Sequence, residues 1–259
     1  MKKLRILTLN IGNPSIERAK KQCQWLLEQD DDIFILTETK NSKGCDYISS
    51  FFEEYGQNLF TCSTLKRYHV FFPHVDNKEL GVMIISKYIL NNTNTIFDKK
   101  SIYYSRHVEA TVMIEREKIK LWGIYVPSRD KSDIKINQKK RFIEEICNEM
   151  CNKDLPDIIA GDLNLIDRKH LPKYSTFFQW EYDFYDYIIN CGYVDAFKLC
   201  NSTIQEHSWI GRTGNGYRYD YFFVKDSIKN KIKICEYIHD TRNIKISDHA
   251  AVFMEFYIG

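Results

Sequence analysis

The chain carries two polar residues, Asp162 and Asn164, directly after the apolar run of residues 158–160. Side chains alternate between the faces of a strand, so these two point the same way. A carboxylate beside a carboxamide suits a phosphoester, because the carboxylate accepts a proton or binds a metal and the carboxamide donates hydrogen bonds. Taken alone, a turn with two solvated polar side chains explains the pattern equally well.

Polar groups also stand at the ends of other predicted strands. Asn10 closes the first strand, Glu38 closes the second, and Tyr125 closes a later one. Asp248 and His249 precede the last strand. Rigid strand ends are where catalytic groups tend to sit, because the sheet holds them while loops admit substrate.

Two further residues, Arg218 and Asp220, lie two apart within a tyrosine-rich stretch. Their spacing predicts that they share one face of a strand, opposite the tyrosines. Each polar residue in this collection also has an ordinary structural explanation. The whole collection together indicates a functional site.

The elements that must position these groups alternate between strands and helices. We predict strands near residues 4–10, 33–36, 81–86, 109–114, 120–126, 158–164, 219–224, 231–238 and 250–257. A first helix is predicted after Asn13, which would serve as its N-cap. Further helices are predicted near 46–54, near 135–151 and up to Gly192, which would supply a left-handed cap. Residues 91–95 are the most loop-like stretch.

Length and composition favour one mixed α/β domain over residues 1–259. The apolar fraction of 44% is ample for a core, and the aromatic fraction of 14% favours broad sheets packed face to face. No repeat, low-complexity segment or linker divides the chain. The formal net charge of +2 does not by itself demand a nucleic-acid partner.

Basic residues are clustered in two places. Residues 135–141 include four cations, and a solvated helix face explains that cluster better than a binding site does. Arg168, Lys169 and Lys173 directly follow the Asp162 and Asn164 loop, which makes them the better phosphate-binding candidates.

The eight cysteines form no C-x-x-C pair, which indicates reduced thiols in a cytoplasmic protein. The amino terminus makes a poor signal peptide and a good first strand. No apolar run approaches the ~20 residues of a membrane span. We therefore expect a soluble protein with no membrane association and no obligate protein partner.

An ordered set of motifs resembles the endonuclease/exonuclease/phosphatase superfamily. The motifs are Leu9-Asn10, Thr37-Glu38-Thr39-Lys40, residues 81–86, Tyr125-Val126-Pro127, residues 161–164, Arg218-Tyr219-Asp220-Tyr221 and Ser247-Asp248-His249. Residues 37–40 and 218–221 look most like the exonuclease III and abasic-site endonuclease branch. The resemblance implies a four-layer sandwich, in which helices flank two packed mixed β-sheets and the site lies at one end of the sheets.

The resemblance also implies a catalytic Mg²⁺ or Mn²⁺. Glu38 would be its main ligand, and Asn10 and Asp248 would assist. Hard oxygen ligands of this kind suit Mg²⁺.

The resemblance assigns the remaining catalytic roles as well. Asp162 would orient or deprotonate the attacking water, and Asn164 would hold that water or the phosphate. His249 would donate to a phosphate oxygen, with Asp220 fixing its ring. Tyr125 would bind the phosphate or the leaving oxygen. Spacing does not decide whether Asp162 or His249 is the base, nor whether one or two metals are used.

Trp209 and Tyr217 resemble the aromatic pair that lines a pocket for a flipped-out abasic sugar in relatives, although a Trp packed beneath a loop is the structural alternative. Lys40, Arg218 and Arg168 complete the expected substrate-binding set. The chain departs from the branch at Gly12, where a polar contact near the metal is replaced, and at Ser128, which weakens one substrate contact. The short loop 210–216 argues against abasic-site specificity. These departures leave the hydrolytic residues intact.

The sequence thus predicts a divalent-metal-dependent phosphodiesterase acting on DNA, of the exonuclease III or abasic-endonuclease kind. The alternative keeps the chemistry and changes the substrate to RNA, a phosphoinositide or a small phosphorylated metabolite. A non-catalytic binding protein is the third possibility, and it predicts a gap in the motif set. The five motif residues Glu38, Asp162, Asp220, Asp248 and His249 are all present.

Overall fold

Two six-stranded β-sheets stand at the centre of the computed structural model, which describes residues 2–54, 68–74, 79–152 and 154–259. The strands of the first sheet are β1 (Lys2–Asn10), β2 (Ile33–Thr39), β3 (His69–Phe71), β4 (Gly81–Ser86), β13 (Ile232–Ile238) and β14 (Ala251–Ile258). Their spatial order is β13-β14-β1-β2-β4-β3. Strands β1 and β2 run parallel, and the other pairs are antiparallel.

The second sheet has the order β5-β6-β7-β8-β12-β9. Its strands are β5 (Leu90–Asn94), β6 (His107–Ile114), β7 (Glu117–Tyr125), β8 (Ile158–Asp162), β9 (Tyr193–Asp195) and β12 (Asp220–Lys225). Strands β7 and β8 form the parallel pair of this sheet. A two-stranded ribbon completes the strands of the described residues, β10 (Trp209–Ile210) with β11 (Gly216–Tyr217).

The described residues contain six α-helices, α1 (Ile16–Gln29), α2 (Lys43–Glu54), α3 (Asp133–Asn152), α4 (Gln179–Asn190), α5 (Ala196–Cys200) and α6 (Asp240–Asn243). Helices α1 to α4 cover the outer faces of the two sheets, whereas α5 contributes Ala196 and Phe197 to the core between them. Alternation along β2 shows the layering: Ile33 and Ile35 join the core between the sheets, whereas Phe34 and Leu36 pack with α1 and α2. The second sheet packs in the same way against α3 and α4. The four-layer sandwich is confirmed.

Most predicted elements are found within a few residues of their expected bounds. Gly192 has a φ of +90° just after α4, as a left-handed cap requires. The seven cysteines of the described residues are free thiols. None of the helices in the described ranges is long and apolar enough to cross a membrane.

Two local predictions are wrong. Ser15, not Asn13, is the N-cap of α1, because its side chain accepts from the Arg18 N–H. Asn13 instead has a φ of +42°, and its side chain accepts from the Ser42 hydroxyl at 2.7 Å. The loop expected at residues 91–95 overlaps β5, an edge strand whose exposed polar side chains concealed its pairing with β6.

Candidate active site

The polar strand ends of both sheets meet at one edge of the sandwich. In the first sheet, Asn10 ends β1 and Glu38 lies near the end of the parallel neighbour β2. In the second sheet, Tyr125 ends β7 and pairs in register with Asp162 of β8. Parallel neighbours bring their carboxyl ends to the same edge. Motifs that lie far apart along the chain are therefore close together in the fold.

The two sheets are joined at this edge by side-chain hydrogen bonds. The Asn10 Nδ2 donates to Asp162 Oδ2 at 2.9 Å, and the Tyr125 hydroxyl donates to Glu38 Oε1 at 3.0 Å. Asn10 and Asp162 are both buried, whereas Glu38 is half-buried. Glu38 also has a φ of +55° at a bulge in the pairing of β2 with β4, which turns its side chain out of the regular alternation. Strain of this kind is often found at functional sites.

Asp162 lies in the interior of the site. Its carboxylate accepts a hydrogen bond from the Asn164 backbone N–H at 2.9 Å, in addition to the one from Asn10. Burial, together with the nearby Asp220 carboxylate, raises the pKa of Asp162 to about 8. A carboxyl group with such a pKa exchanges its proton near neutral pH, as a general base must.

His249 and Asp220 form a buried pair. The His249 Nδ1 lies 2.7 Å from Asp220 Oδ2. Burial alone would lower the pKa of His249, but the attraction of Asp220 outweighs it and raises that pKa to about 9. The imidazole is therefore protonated at neutral pH, and Nε2 is the nitrogen left to donate to a ligand.

Carboxyl groups outnumber cations at the centre of the site. In the part of the chain that the structure describes, the ligand atoms of Asp162, Asp220 and His249 all lie within 4.8 Å of one another. Asp220 Oδ1 is buried without a hydrogen-bond partner among the described residues. Glu38 and the exposed Asp248 add two further carboxylates, against the one imidazolium. A set of hard oxygen donors with uncompensated negative charge fits a divalent cation.

Glu38, Asp248 and His249 line an open cleft that divides into two cavities, and Asp162 and Asp220 are buried beside it. The larger, of about 790 Å³, extends from His249 towards Trp209 and Tyr217. The smaller, of about 420 Å³, contains Lys40. Glu38 lines both cavities, so the carboxylate stands where they meet.

Aromatic rings form one wall of the larger cavity. The Tyr217 and Tyr219 rings stack with centroids 5.1 Å apart, and the Trp209 ring stacks on Tyr219 at 5.9 Å. The Trp209 Nε1 donates to Asp248 Oδ2 at 3.0 Å. Trp209 and Tyr217 are therefore brought to the cleft, and Trp209 also holds the Asp248 carboxylate in place.

Two expected substrate-binding residues are not brought to the cleft. Arg218 is 3% exposed, and its guanidinium donates to Asp195 at 2.6 Å and 3.1 Å. Arg168 lies on the outer surface, where it pairs with Asp183 and Asp186. The expectation that these arginines face a substrate is corrected, because their charges are already compensated within the protein.

The prediction of a solvated helix face at residues 135–141 is wrong for one residue. Lys139 is 1% exposed and contacts the buried Glu181. Both residues line the larger cavity, as does Arg129, and sequence reasoning missed all three as site residues. The only signal was a lysine at a position of α3 that also suits the buried side of an amphipathic helix.

Fold and site together define a four-layer α/β sandwich with an acidic cleft at one edge of its two sheets. No protein-family model matches the chain. An exodeoxyribonuclease of Bacillus subtilis (strain 168) is 24% identical, with 96% of this chain and 98% of that protein covered.

Solved structures share the fold over nearly the whole chain. An AP endonuclease from Archaeoglobus fulgidus matches with a TM-score of 0.79 at 20% identity, covering 98% of this chain and 100% of that one. A 3′ phosphatase, NExo from Neisseria, bound to a product DNA hairpin, matches with a TM-score of 0.77 at 18% identity and the same coverage. These likenesses confirm the resemblance to exonuclease III-like proteins.

Proposed function

We propose that this protein is a divalent-metal-dependent nuclease that hydrolyses phosphodiester bonds in DNA. The observation that carries the proposal is that Glu38 and His249 line one open cleft while the buried carboxylate of Asp220 holds His249 and the buried carboxylate of Asp162 lies within 4.8 Å of that pair. Hydrolysis of a phosphodiester needs an activated water, neutralisation of charge on the phosphate oxygens and help for the leaving oxygen. The groups in this cleft supply those functions.

The geometry favours Asp162 as the base and His249 as the donor. Asp220 keeps His249 charged, so that Nε2 carries a proton to donate to a phosphate oxygen. Asp162 has no comparable cation bonded to it, and the Asn10 amide fixes one of its oxygens. Asp162 would therefore orient and deprotonate the attacking water, while the neighbouring Asn164 holds the water or the phosphate.

Mg²⁺ or Mn²⁺ is the cation that suits the donor set, with Glu38 as main ligand and Asn10 and Asp248 assisting. When bound, it would neutralise charge on the scissile phosphate. The Asn10 carboxamide already donates to Asp162 through Nδ2 and accepts from the Gly12 N–H through Oδ1. Asn10 therefore also holds the Asp162 carboxylate in place.

The shape and charge of the cleft support a polymeric substrate. Basic side chains line both cavities, Lys40 and Lys135 in the smaller one and Lys131 in the larger one. A nucleic-acid strand passing over Glu38 places its flanking phosphates near these cations. The similar proteins are an exodeoxyribonuclease, an AP endonuclease and a phosphatase bound to a DNA hairpin, which supports DNA as the polymer.

The aromatic wall supports contact with an unpaired part of the strand. The Trp209 and Tyr217 rings, each stacked on Tyr219, line the larger cavity, and aromatic rings bind bases and sugars by stacking and apolar contact. We propose that these two residues and Lys40 bind the substrate. Arg218 and Arg168 are left out of this set.

A substrate panel tests the proposal. Wild-type protein is incubated with Mg²⁺ or EDTA and with abasic, nicked and intact duplex DNA, single-stranded DNA, RNA and a small phosphomonoester. We expect DNA cleavage that EDTA abolishes. The variants Glu38→Gln, Asp162→Asn and His249→Ala should each lose roughly 10²–10⁴ in rate, whereas Lys140→Gln, on an exposed part of α3, should not.

The same panel separates DNA from the alternative substrates. Binding of a polyanion releases counterions, so DNA affinity should fall steeply with salt. Cleavage of RNA alone, or of the phosphomonoester alone with little dependence on salt, would contradict the DNA assignment and leave the hydrolytic chemistry in place. Absence of cleavage of every substrate at micromolar enzyme would contradict the whole proposal.

A further inference from the structure

Lys139 lies inside the protein with its ammonium group against the catalytic loop. Its Nζ lies 2.5 Å from the backbone oxygen of Asn164 and 2.6 Å from Glu181 Oε1. The side chains of Lys139 and Glu181 are 2% and 1% exposed. A lysine is seldom buried without a compensating partner, and here one of its two acceptors belongs to a proposed catalytic residue.

Asn164 has a backbone conformation that few residue types adopt. Its φ is +49°, in the left-handed region that Asn enters more readily than most L-residues. Its N–H donates to Asp162 Oδ1, and its side-chain Nδ2 donates to the Val126 carbonyl at 3.0 Å. Lys139 binds the remaining backbone group, so each polar part of Asn164 that faces the protein is fixed.

Glu181 joins this contact to the wall of the larger cavity. Its carboxylate also accepts from the Arg129 guanidinium and from the Phe178 N–H. Burial alone would raise the pKa of Glu181, but Lys139 and Arg129 outweigh it and lower that pKa, so the group is ionised at neutral pH. The Glu181 carboxylate of α4 thereby connects Lys139 of α3 with the loop that carries Arg129. Lys139 extends this connection to Asn164.

We propose that Lys139, held in place by Glu181, is a positioning residue that sets the backbone of Asn164 and through it the placement of the Asn164 carboxamide in the cleft. This inference rests on the proposed function. A misplacement of about 1 Å can cost on the order of 10²-fold in rate, so a single lost hydrogen bond at the backbone has a large kinetic effect.

The test measures kcat and KM on the DNA substrate that the wild type cleaves. Lys139→Met removes the ammonium group and leaves Glu181 paired with Arg129. We expect kcat to fall by about 10- to 100-fold while KM stays within twofold. Lys140→Met is the matched control, because Lys140 is the exposed neighbour on the same helix, and it should leave both constants unchanged.

A double-mutant cycle distinguishes positioning from a merely structural ion pair. If Lys139 acts through Asn164, Lys139→Met should slow the Asn164→Ala variant by less than twofold in single-turnover assays with enzyme in excess. An equal loss in both backgrounds overturns the proposal, as does a Lys139→Met variant with the kcat of the wild type. A raised KM at unchanged kcat overturns it too.

Should Lys139→Met fold poorly, the double variant Lys139→Met/Glu181→Gln removes the charge of the buried carboxylate and keeps an amide oxygen to accept from Arg129 and the Phe178 N–H. The stable double variant should show the same loss of kcat, and a normal kcat would overturn the inference. An inactive wild type contradicts the proposed function itself. An active wild type with an impaired Asn164→Ala variant and a normal Lys139→Met variant contradicts this inference alone.

Discussion

The imidazole of His249 and the carboxylate of Asp220 share a 2.7 Å hydrogen bond in a part of the site where both side chains are buried. The carboxylate holds the ring at Nδ1 and stabilises its positive charge. Burial raises the pKa of Asp162, and the negative charge of the same Asp220 carboxylate raises it further. Asp220 therefore sets the protonation of both groups that handle protons in the proposed mechanism.

The first prediction concerns the pH dependence of kcat/KM. The reaction requires Asp162 without its proton and His249 with its proton. The rate should therefore rise as Asp162, with a pKa of about 8, ionises and fall as His249, with a pKa of about 9, loses its proton. Bound cation moves the acidic limb to lower pH, because a positive charge favours the carboxylate. A rate that keeps rising beyond pH 9 would identify His249 as the base instead.

Asp220→Asn should move both limbs of this profile to lower pH, because it removes the charge that raises both pKa values. We expect kcat at pH 8.5 to fall by about 10²-fold, since His249 is then largely neutral. NMR titration of the His249 ring in metal-free protein measures its pKa directly. A His249 pKa that stays near 9 in this variant would refute the role given to Asp220.

The second prediction concerns stability and the cation. His249 has a folded pKa above its ordinary 6.5, so its contribution to stability is complete below pH 6.5 and is lost as pH rises through about 9. Asp162 also has a raised pKa, so the folded state favours its protonated form, and this contribution too declines as pH rises from 3.8 through about 8. Metal-free protein should therefore have a lower Tm at pH 9 than at pH 6.

Mg²⁺ should raise the Tm, by an amount equivalent to about 2.7 kcal/mol at 100 times its Kd. The rise should be larger at pH 9 than at pH 6, because protons compete with the cation for the carboxylates. Glu38→Gln should reduce the Mg²⁺-dependent rise at both pH values. Thermal denaturation with and without Mg²⁺ measures this, and an undiminished rise in the variant would show that the cation is held elsewhere.

The third prediction contrasts the two arginines that the structure removed from the substrate-binding set. Arg218→Met leaves Asp195 and Asp167 buried without their guanidinium partner, which should lower the free energy of unfolding by about 3–5 kcal/mol. Arg168→Met removes an arginine that also pairs with two aspartates, but on the surface, where water screens the charges, so stability should change little. Urea denaturation measures both.

Neither variant should change KM for DNA when activity is expressed per folded molecule. A raised KM in Arg168→Met would restore that residue to the substrate-binding set.

The fourth prediction concerns two glycines with positive φ. Gly161 has a φ of +136°, and a Cβ there would lie 2.1 Å from the Ile124 carbonyl oxygen of β7. Gly161→Ala should therefore add overpacking of about 1–3 kcal/mol to the backbone strain and disturb Asp162, the next residue. Gly192 has a φ of +90° with open space around it, so Gly192→Ala should cost only the strain, about 1–2 kcal/mol.

Urea denaturation and kcat on DNA should thus separate these variants, with activity lost in Gly161→Ala and retained in Gly192→Ala. Equal stability and activity of the two would contradict the close packing of β7 against β8.

The sequence alone determined the strand ends and the polar groups they carry, because apolar runs and period-two alternation are local properties of a chain. It thereby led to Asn10, Glu38, Tyr125, Asp162 and Asp248 as members of one site. The resemblance of the ordered motifs to the endonuclease/exonuclease/phosphatase superfamily implied the four-layer sandwich. The sequence did not predict edge strand β5, because the side chains of residues 91–94 are polar on both faces of the strand.

Only the tertiary structure decided where the charged side chains outside the regular strands would go. Arg218 lies before the start of β12. Its spacing of two residues from Asp220 therefore does not place the two side chains on a common face of a strand. Arg218 instead forms an ion pair with Asp195. Lys139 and Glu181 lie on separate helices, and each pattern by itself is compatible with a solvated charge. Their burial beside Asn164 depends on how α3 and α4 pack against the second sheet, which arises from contacts distant in sequence.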